Sequence, residues 1–143
     1  MSVAAGITPS PLEELVVDSA IDEALLRDTS LILVSHVASP RSREDALEHI
    51  RERESRMKWL ESHAARARQR GVAEVELVLP TSPENMAGAL LEVDKRADVR
   101  LLVIGIPRRS RVGKALIGSS SQEVLLHSDS PVLGVKLPSD ERT

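Results

Sequence analysis

The fold class the sequence predicts is α/β: one doubly wound, five-stranded parallel sheet with helices on both faces. Three observations carry it. Short β-rich apolar runs alternate with segments of helical periodicity along the whole chain. The runs at 30–37 and 100–105, "SLILVSHV" and "RLLVIG", are nearly continuous in Val, Ile and Leu, as strands covered on both faces require. Successive runs are also far enough apart for helical crossovers, which parallel strands need and which are right-handed. The pattern reads βαβαβαβαβ.

The elements follow in order. "SVAAGI" (2–7) is a short apolar run closed by Thr8-Pro9 and is strand one. From Ser10 to Arg27, Leu12, Leu15, Val16, Ala20, Ala24 and Leu25 recur at helical spacing. Residues 30–37 are strand two. The longest element, 43–70, puts Leu47, Ile50, Met57, Leu60 and Ala64 on one stripe, with charged residues elsewhere. Its pairs Glu52–Arg56 and Glu54–Lys58 sit at i,i+4, where each adds a few tenths of a kcal/mol. "AEVELVL" (73–79) begins by alternating, like an outer strand. Thr81-Ser82-Pro83-Glu84 supplies a cap, a first-turn proline and an acid for a helix running to about Ala97. Strand four is 100–105. Ser120-x-x-Glu123 reads as a capping box opening a helix that runs to about His127. "PVLGVK" (131–136) is the last strand, and 137–143 is a polar tail.

Composition narrows the function. The 143 residues are expected to form a single domain, and a chain of that size buries roughly 68–70% of its unfolded surface. There is no Phe, Tyr or Cys and a single tryptophan, Trp59, so the core must be aliphatic. The lack of cysteine removes disulfides, thiol nucleophiles and Cys-based metal sites. The lack of aromatics removes the stacking platform of single-strand nucleic-acid binders, and a net charge of -3 argues further against nucleic acid. No apolar run is long enough to span a membrane and the N-terminus lacks the pattern of a signal peptide, so a cytoplasmic protein is expected. His36, His49, His63 and His127 are scattered with no metal-ligand spacing, and there is no Gly-x-Ser-x-Gly elbow. The reading is a binder and not an enzyme.

In doubly wound sheets, ligands bind beyond the carboxyl ends of the strands where strand order reverses. With strand one central, that point lies between strands one and four. It brings together "GITPSP" (6–11) and the loop "GIPRRSRVGKALIGSS" (105–120). The loop holds Arg108, Arg109, Arg111 and Lys114 with no acid among them. It is not a P-loop: the first glycine of that motif would fall on Arg108 and its magnesium-binding hydroxyl on Ala115. Gly118-Ser119-Ser120 before a helix is a better anion device, since first-turn N–H groups and the helix dipole point outward there.

The stretch 101–136 resembles the C-terminal half of universal stress protein domains, and the likeness extends over essentially the whole chain, including "SHV" after strand two and "SPVLGVK" at the end. The resemblance implies a flavodoxin-like order of 3-2-1-4-5 and, in nucleotide-binding members, the motif G-x2-G-x9-G-[ST]. Gly105 supplies its first glycine and Gly118-Ser119 its last two positions, while Arg108 replaces the second glycine. The strand-end acid that contacts adenine in ATP-binding members falls on Gly6, followed by Ile7 and by Thr8 with its hydroxyl. Val37 matches a position lining the adenine and ribose pocket. The expected site is therefore Gly6, Ile7, Thr8, Val37, Gly105, Arg108, Arg109, Gly118, Ser119 and Ser120, holding ATP with Mg2+ or a related phosphate ligand. The resemblance also implies a homodimer through the last strand, and two readings stay open. In one, arginine charge replaces backbone cradling of the phosphate. In the other, Arg108 closes the pocket and the domain is a nucleotide-independent signalling or interaction module.

Overall fold

The computed structural model describes residues 1–81, 85–96, 98–107, 109–111 and 114–138, with the backbone alone at 109–111 and 114–116. In chain order the elements are β1 (Ser2–Gly6), α1 (Glu13–Arg27), β2 (Ser30–Val34), α2 (Ala46–Arg70), β3 (Val75–Val78), α3 (Met86–Asp94), β4 (Val99–Gly105), β5 (Arg109–Arg111), β6 (Lys114–Leu116), α4 (Ser119–His127) and β7 (Val132–Val135). Five strands form a parallel sheet in the order β3-β2-β1-β4-β7, the expected 3-2-1-4-5 arrangement with β7 as its fifth strand. Among the described residues, no helix is long and apolar enough to cross a membrane.

Alternation along the central strands builds two core layers. Val3, Ala5, Leu31, Leu33, Leu101 and Val103 face one layer, under α1 and α2. Ala4, Ile32, Val34, Leu102 and Ile104 face the other, under α3 and α4. Each strand feeds both, which is why its sequence is continuously apolar.

Several boundaries differ from expectation, each for a local reason. α1 starts at Glu13, because Ser10 folds the preceding chain into a turn: its side chain accepts from the Leu12 N–H at 3.2 Å and its carbonyl from the Glu13 N–H at 3.1 Å. α3 is capped by Asn85, whose side chain accepts from the Gly88 N–H at 2.7 Å, and it ends at Asp94; Ser82–Glu84 and Ala97 lie outside the described residues. β2 stops at Val34, and the Ser35 hydroxyl turns back to donate to the Ile7 carbonyl at 2.7 Å. The stripe on α2 is buried only toward its C-terminal half, while Leu47 and Ile50 are 59% and 52% exposed. Length explains this. Twenty-five residues of helix span about 37 Å, far more than the neighbouring four-residue strand β3 at about 13 Å. The first turns of α2 therefore overhang the carboxyl edge of the sheet.

The β5–β6 hairpin was not expected. Arg111 pairs with Lys114, so two residues of sequence, Val112 and Gly113, connect the strands. That spacing with a glycine in second place is a hairpin signal, but "RSR" and "KAL" show no apolar alternation to flag strands.

Candidate functional site

Strand order reverses at β1 and β4, which lie side by side in the middle of the sheet with their connections leaving to opposite sides. A cleft of about 650 Å³ opens at their carboxyl ends. Its walls come from the β1–α1 turn, the first turn of α1, the start of α3, the end of β4 and the start of α4.

The exit from β1 is held firmly. The Ile7 N–H donates to the Val34 carbonyl at 2.8 Å, and the Ile7 carbonyl accepts from the fully buried Ser35. Arg56 of α2 then donates to the Ser35 hydroxyl and to the His36 carbonyl, each at 2.9 Å, while lying 5.5 Å from the Trp59 ring centroid. One guanidinium thus ties the overhanging helix to the end of β2 and, through Ser35, to Ile7 of the cleft.

Two glycines there are set by space, not by backbone conformation. A Cβ on Gly6 would lie 3.2 Å from Leu90 Cδ2 and 3.5 Å from Met86 Sδ. On Gly105 it would lie 3.1 Å from Val16 and 3.2 Å from Leu12. The helices sit close against the strand ends because those ends lack side chains.

Gly118 is different. It is the N-cap of α4 with φ -63 and ψ 158, values open to any residue, and a Cβ there would meet nothing within 4 Å. Among the described residues, nothing in the packing requires glycine. The space beside it belongs to the cleft. No side chain caps α4, so the expected capping box at Ser120 and Glu123 is not formed. Ser119 and Ser120 instead make the first turn, with Gln122 N–H to Gly118 carbonyl at 3.0 Å as an early helical bond. The first-turn N–H groups therefore have no intrahelical acceptor, and the positive end of the helix faces the cleft.

The structure brings Gly6, Ile7, Thr8, Gly105, Gly118, Ser119 and Ser120 together along this cleft. Val37 is elsewhere: it is 1% exposed in the α1–α2 core layer and does not line the cleft. Arg109 opens β5, and Arg108 lies outside the described residues.

Sequence reasoning missed three contributors. Met86 and Ser121 line the cleft, and so does Glu13, whose carboxylate is held in a network. Trp59 Nε1 donates to Glu13 Oε2 at 2.6 Å, and His63 Nε2 lies 3.0 Å from the same oxygen. His63 Nδ1 is 3.1 Å from Arg66, which leaves Nε2–H to donate to Glu13. Arg66 also pairs with Glu14 at 2.9 Å and with Asp18. Glu13, Glu14 and His63 have the composition of a metal site, their ligand atoms lying within 4.8 Å of one another. Here the Arg66 guanidinium lies against Glu14 and His63 Nδ1, while Trp59 and His63 both donate to Glu13 Oε2.

A parallel sheet with its cleft at the β1/β4 reversal and an open helix N-terminus on a Gly-Ser-Ser stretch is the setting in which related chains can be compared. The model of the universal stress protein family matches residues 1–136. The chain belongs to the universal stress protein family. A universal stress protein of Mycolicibacterium smegmatis is 33% identical over 134 residues, 94% of this chain and 96% of the relative. The universal stress protein of Archaeoglobus fulgidus superposes with a TM-score of 0.72 at 28% identity, covering 93% of this chain and 96% of the other. A second structure, of the Archaeoglobus fulgidus protein in complex with dAMP, superposes with a TM-score of 0.66 at 26% identity over 93% and 94% of the two chains. At Gly6, where the resemblance implies an acid, a Cβ would be crowded by the Leu90 and Met86 side chains of α3.

Proposed function

We propose that this universal stress protein binds an adenine nucleotide in the β1/β4 cleft, as ATP accompanied by Mg2+, and acts as a stress-response binder without efficient catalysis. The observation that carries the reading is Gly118. A helix N-terminus with no side-chain cap among the described residues opens onto free space beside a glycine that their packing does not require. That arrangement suits an anion approaching the backbone. The complex of the Archaeoglobus fulgidus relative with dAMP supports a nucleotide as the anion's carrier. Mg2+ would travel with the phosphates, since in the carboxylate-rich cluster Arg66 already pairs with Glu14 and Asp18. The domain spans the whole chain and works in the cytoplasm on this reading.

Calorimetric titration of nucleotide-stripped protein with Mg-ATP at low salt tests it, with GTP and tripolyphosphate as competitors. Micromolar ATP binding that GTP does not match is the expected result. Equal binding of all three would reduce the cleft to a polyphosphate clamp. Absence of binding would favour the interaction module closed by Arg108.

We also propose a homodimer through β7. This strand is an outer strand of the sheet, and the bonds Leu102 N–H to Pro131 carbonyl and Ile106 N–H to Val135 carbonyl face inward. By alternation the backbone groups of Val132 and Gly134 point outward, an exposed edge that natural sheets tend to cover. Light scattering should return twice the 15.6 kDa chain mass, and a monomer at tens of micromolar would sink the proposal.

A further inference from the structure

Glu13 has a place in the molecule that packing alone does not explain. It opens α1, lines the cleft and keeps its side chain 23% exposed. Both donors that hold it, Trp59 Nε1 and His63 Nε2, meet the same oxygen, Oε2. Oε1 has no hydrogen-bond partner among the described residues. Two donors on one oxygen fix the carboxylate's orientation and leave the second oxygen as a preorganised acceptor. Bonds to a charged acceptor are the strong kind, so the arrangement resists rotation.

Its position relative to the phosphate-type end matters equally. α1 covers one face of the sheet, with Val16 and Val17 in the first core layer. α4 covers the other, with Val124 in the second layer. The cleft is therefore lined by donors at Gly118–Ser121 from the helix on one face of the sheet and by the carboxylate of Glu13 from the helix on the other. A ligand lying in it meets opposite chemistry on its two sides.

We infer that Glu13 is a specificity-determining residue: it accepts a hydrogen bond from a ribose 2′- or 3′-hydroxyl, and it rejects ligands that carry a second anion at that position. The inference rests on the nucleotide reading of the cleft given above. A nucleoside 5′-phosphate, neutral and donor-bearing beyond its phosphate, satisfies both. A nucleoside 3′,5′-bisphosphate presents a second anion to a fixed carboxylate, and like charges held close in a partly desolvated cleft repel strongly.

The test compares 5′-AMP with adenosine 3′,5′-bisphosphate, and ATP with its 2′,3′-dideoxy analogue, on wild type, E13Q and E13D. Wild type should prefer 5′-AMP over the bisphosphate by about tenfold or more. E13Q keeps the shape and an acceptor for Trp59 but removes the charge, and it should bring that ratio close to one. E13D, with the charge retained, should keep most of the discrimination. ATP should exceed the dideoxy analogue in wild type, by a margin that shrinks in E13Q. Tripolyphosphate should bind all three proteins alike, which separates a change at Glu13 from a general loss of fold. A carboxylate that only supports α1 and the Trp59–His63 contact would leave both ratios unmoved in E13Q, and that result overturns the inference while the nucleotide reading stands. Wild type that binds neither ATP nor 5′-AMP overturns both. If the base supplies the donor, the dideoxy analogue binds wild type as well as ATP does, and the ribose assignment is wrong.

Discussion

Gly118→Asp is expected to abolish nucleotide binding while leaving the protein as stable as wild type or slightly more so. The two effects separate because Gly118 does different things for the fold and for the ligand. For the fold it is an N-cap with φ -63 and ψ 158 and empty space where a Cβ would go. Aspartate is among the best N-cap residues, better than glycine by a few tenths of a kcal/mol. Its charge at the helix N-terminus adds about 0.3–1 kcal/mol. For the ligand the same carboxylate competes with the phosphate for the first-turn N–H groups and repels it. A hundredfold or greater loss of ATP affinity is the expected outcome by titration, with a thermal midpoint equal to wild type or a few degrees above it. Binding within threefold of wild type would mean that the phosphate does not sit at α4, and the proposed site would then be wrong. Gly118→Ala serves as the intermediate case, since it adds bulk without charge.

How far the sequence could have led is clear from individual residues. The sheet was legible because its strands feed two core layers, so that runs such as Leu31 to Val34 carry apolar residues at every position. The place of Gly105, Gly118 and Ser119 at the cleft was legible because it depends on local spacing along one loop and one helix start. Glu13 was not. Its partners Trp59 and His63 are 46 and 50 residues away, and no local pattern marks an acid in a first helical turn as anything but dipole compensation. The overhang of α2 was hidden for a related reason. Periodicity reports which face of a helix is apolar, but not how much sheet lies beneath it, so Leu47 and Ile50 read as core although they stand in solvent. Val37 entered the expected site through the family resemblance alone, and here it packs in the core layer under α1 and α2.

Gly6→Asp, which would place there the acid that the family resemblance implies for ATP-binding members, is expected to destabilise the protein and not to improve adenine binding. The Cβ alone would sit 3.2 Å from Leu90 Cδ2 and 3.5 Å from Met86 Sδ, already tight. Leu90 is fully buried and α3 packs against β1, so the neighbours have little room to retreat. The Cβ is directed at the Leu90 and Met86 side chains, so a carboxylate that does not turn into the cleft enters an apolar interface or displaces α3. Overpacking costs about 1–3 kcal/mol, and desolvating an unpaired polar group costs a similar amount. A loss of about 2–4 kcal/mol follows, which for a chain of this length lowers the midpoint by about 6–12 °C. The cause can be isolated with Leu90→Ala. That change alone should cost about 2–5 kcal/mol, but it also makes room for the new side chain. In the Leu90→Ala background Gly6→Asp should then cost at least about 1 kcal/mol less than it does alone, a coupling that a denaturation cycle of the four proteins would measure. Strict additivity would mean that contact with Leu90 is not what excludes the acid. With coupling, the departure at Gly6 becomes a consequence of how closely α3 approaches β1. A nucleotide in this cleft would then have to be recognised by groups other than a strand-end carboxylate.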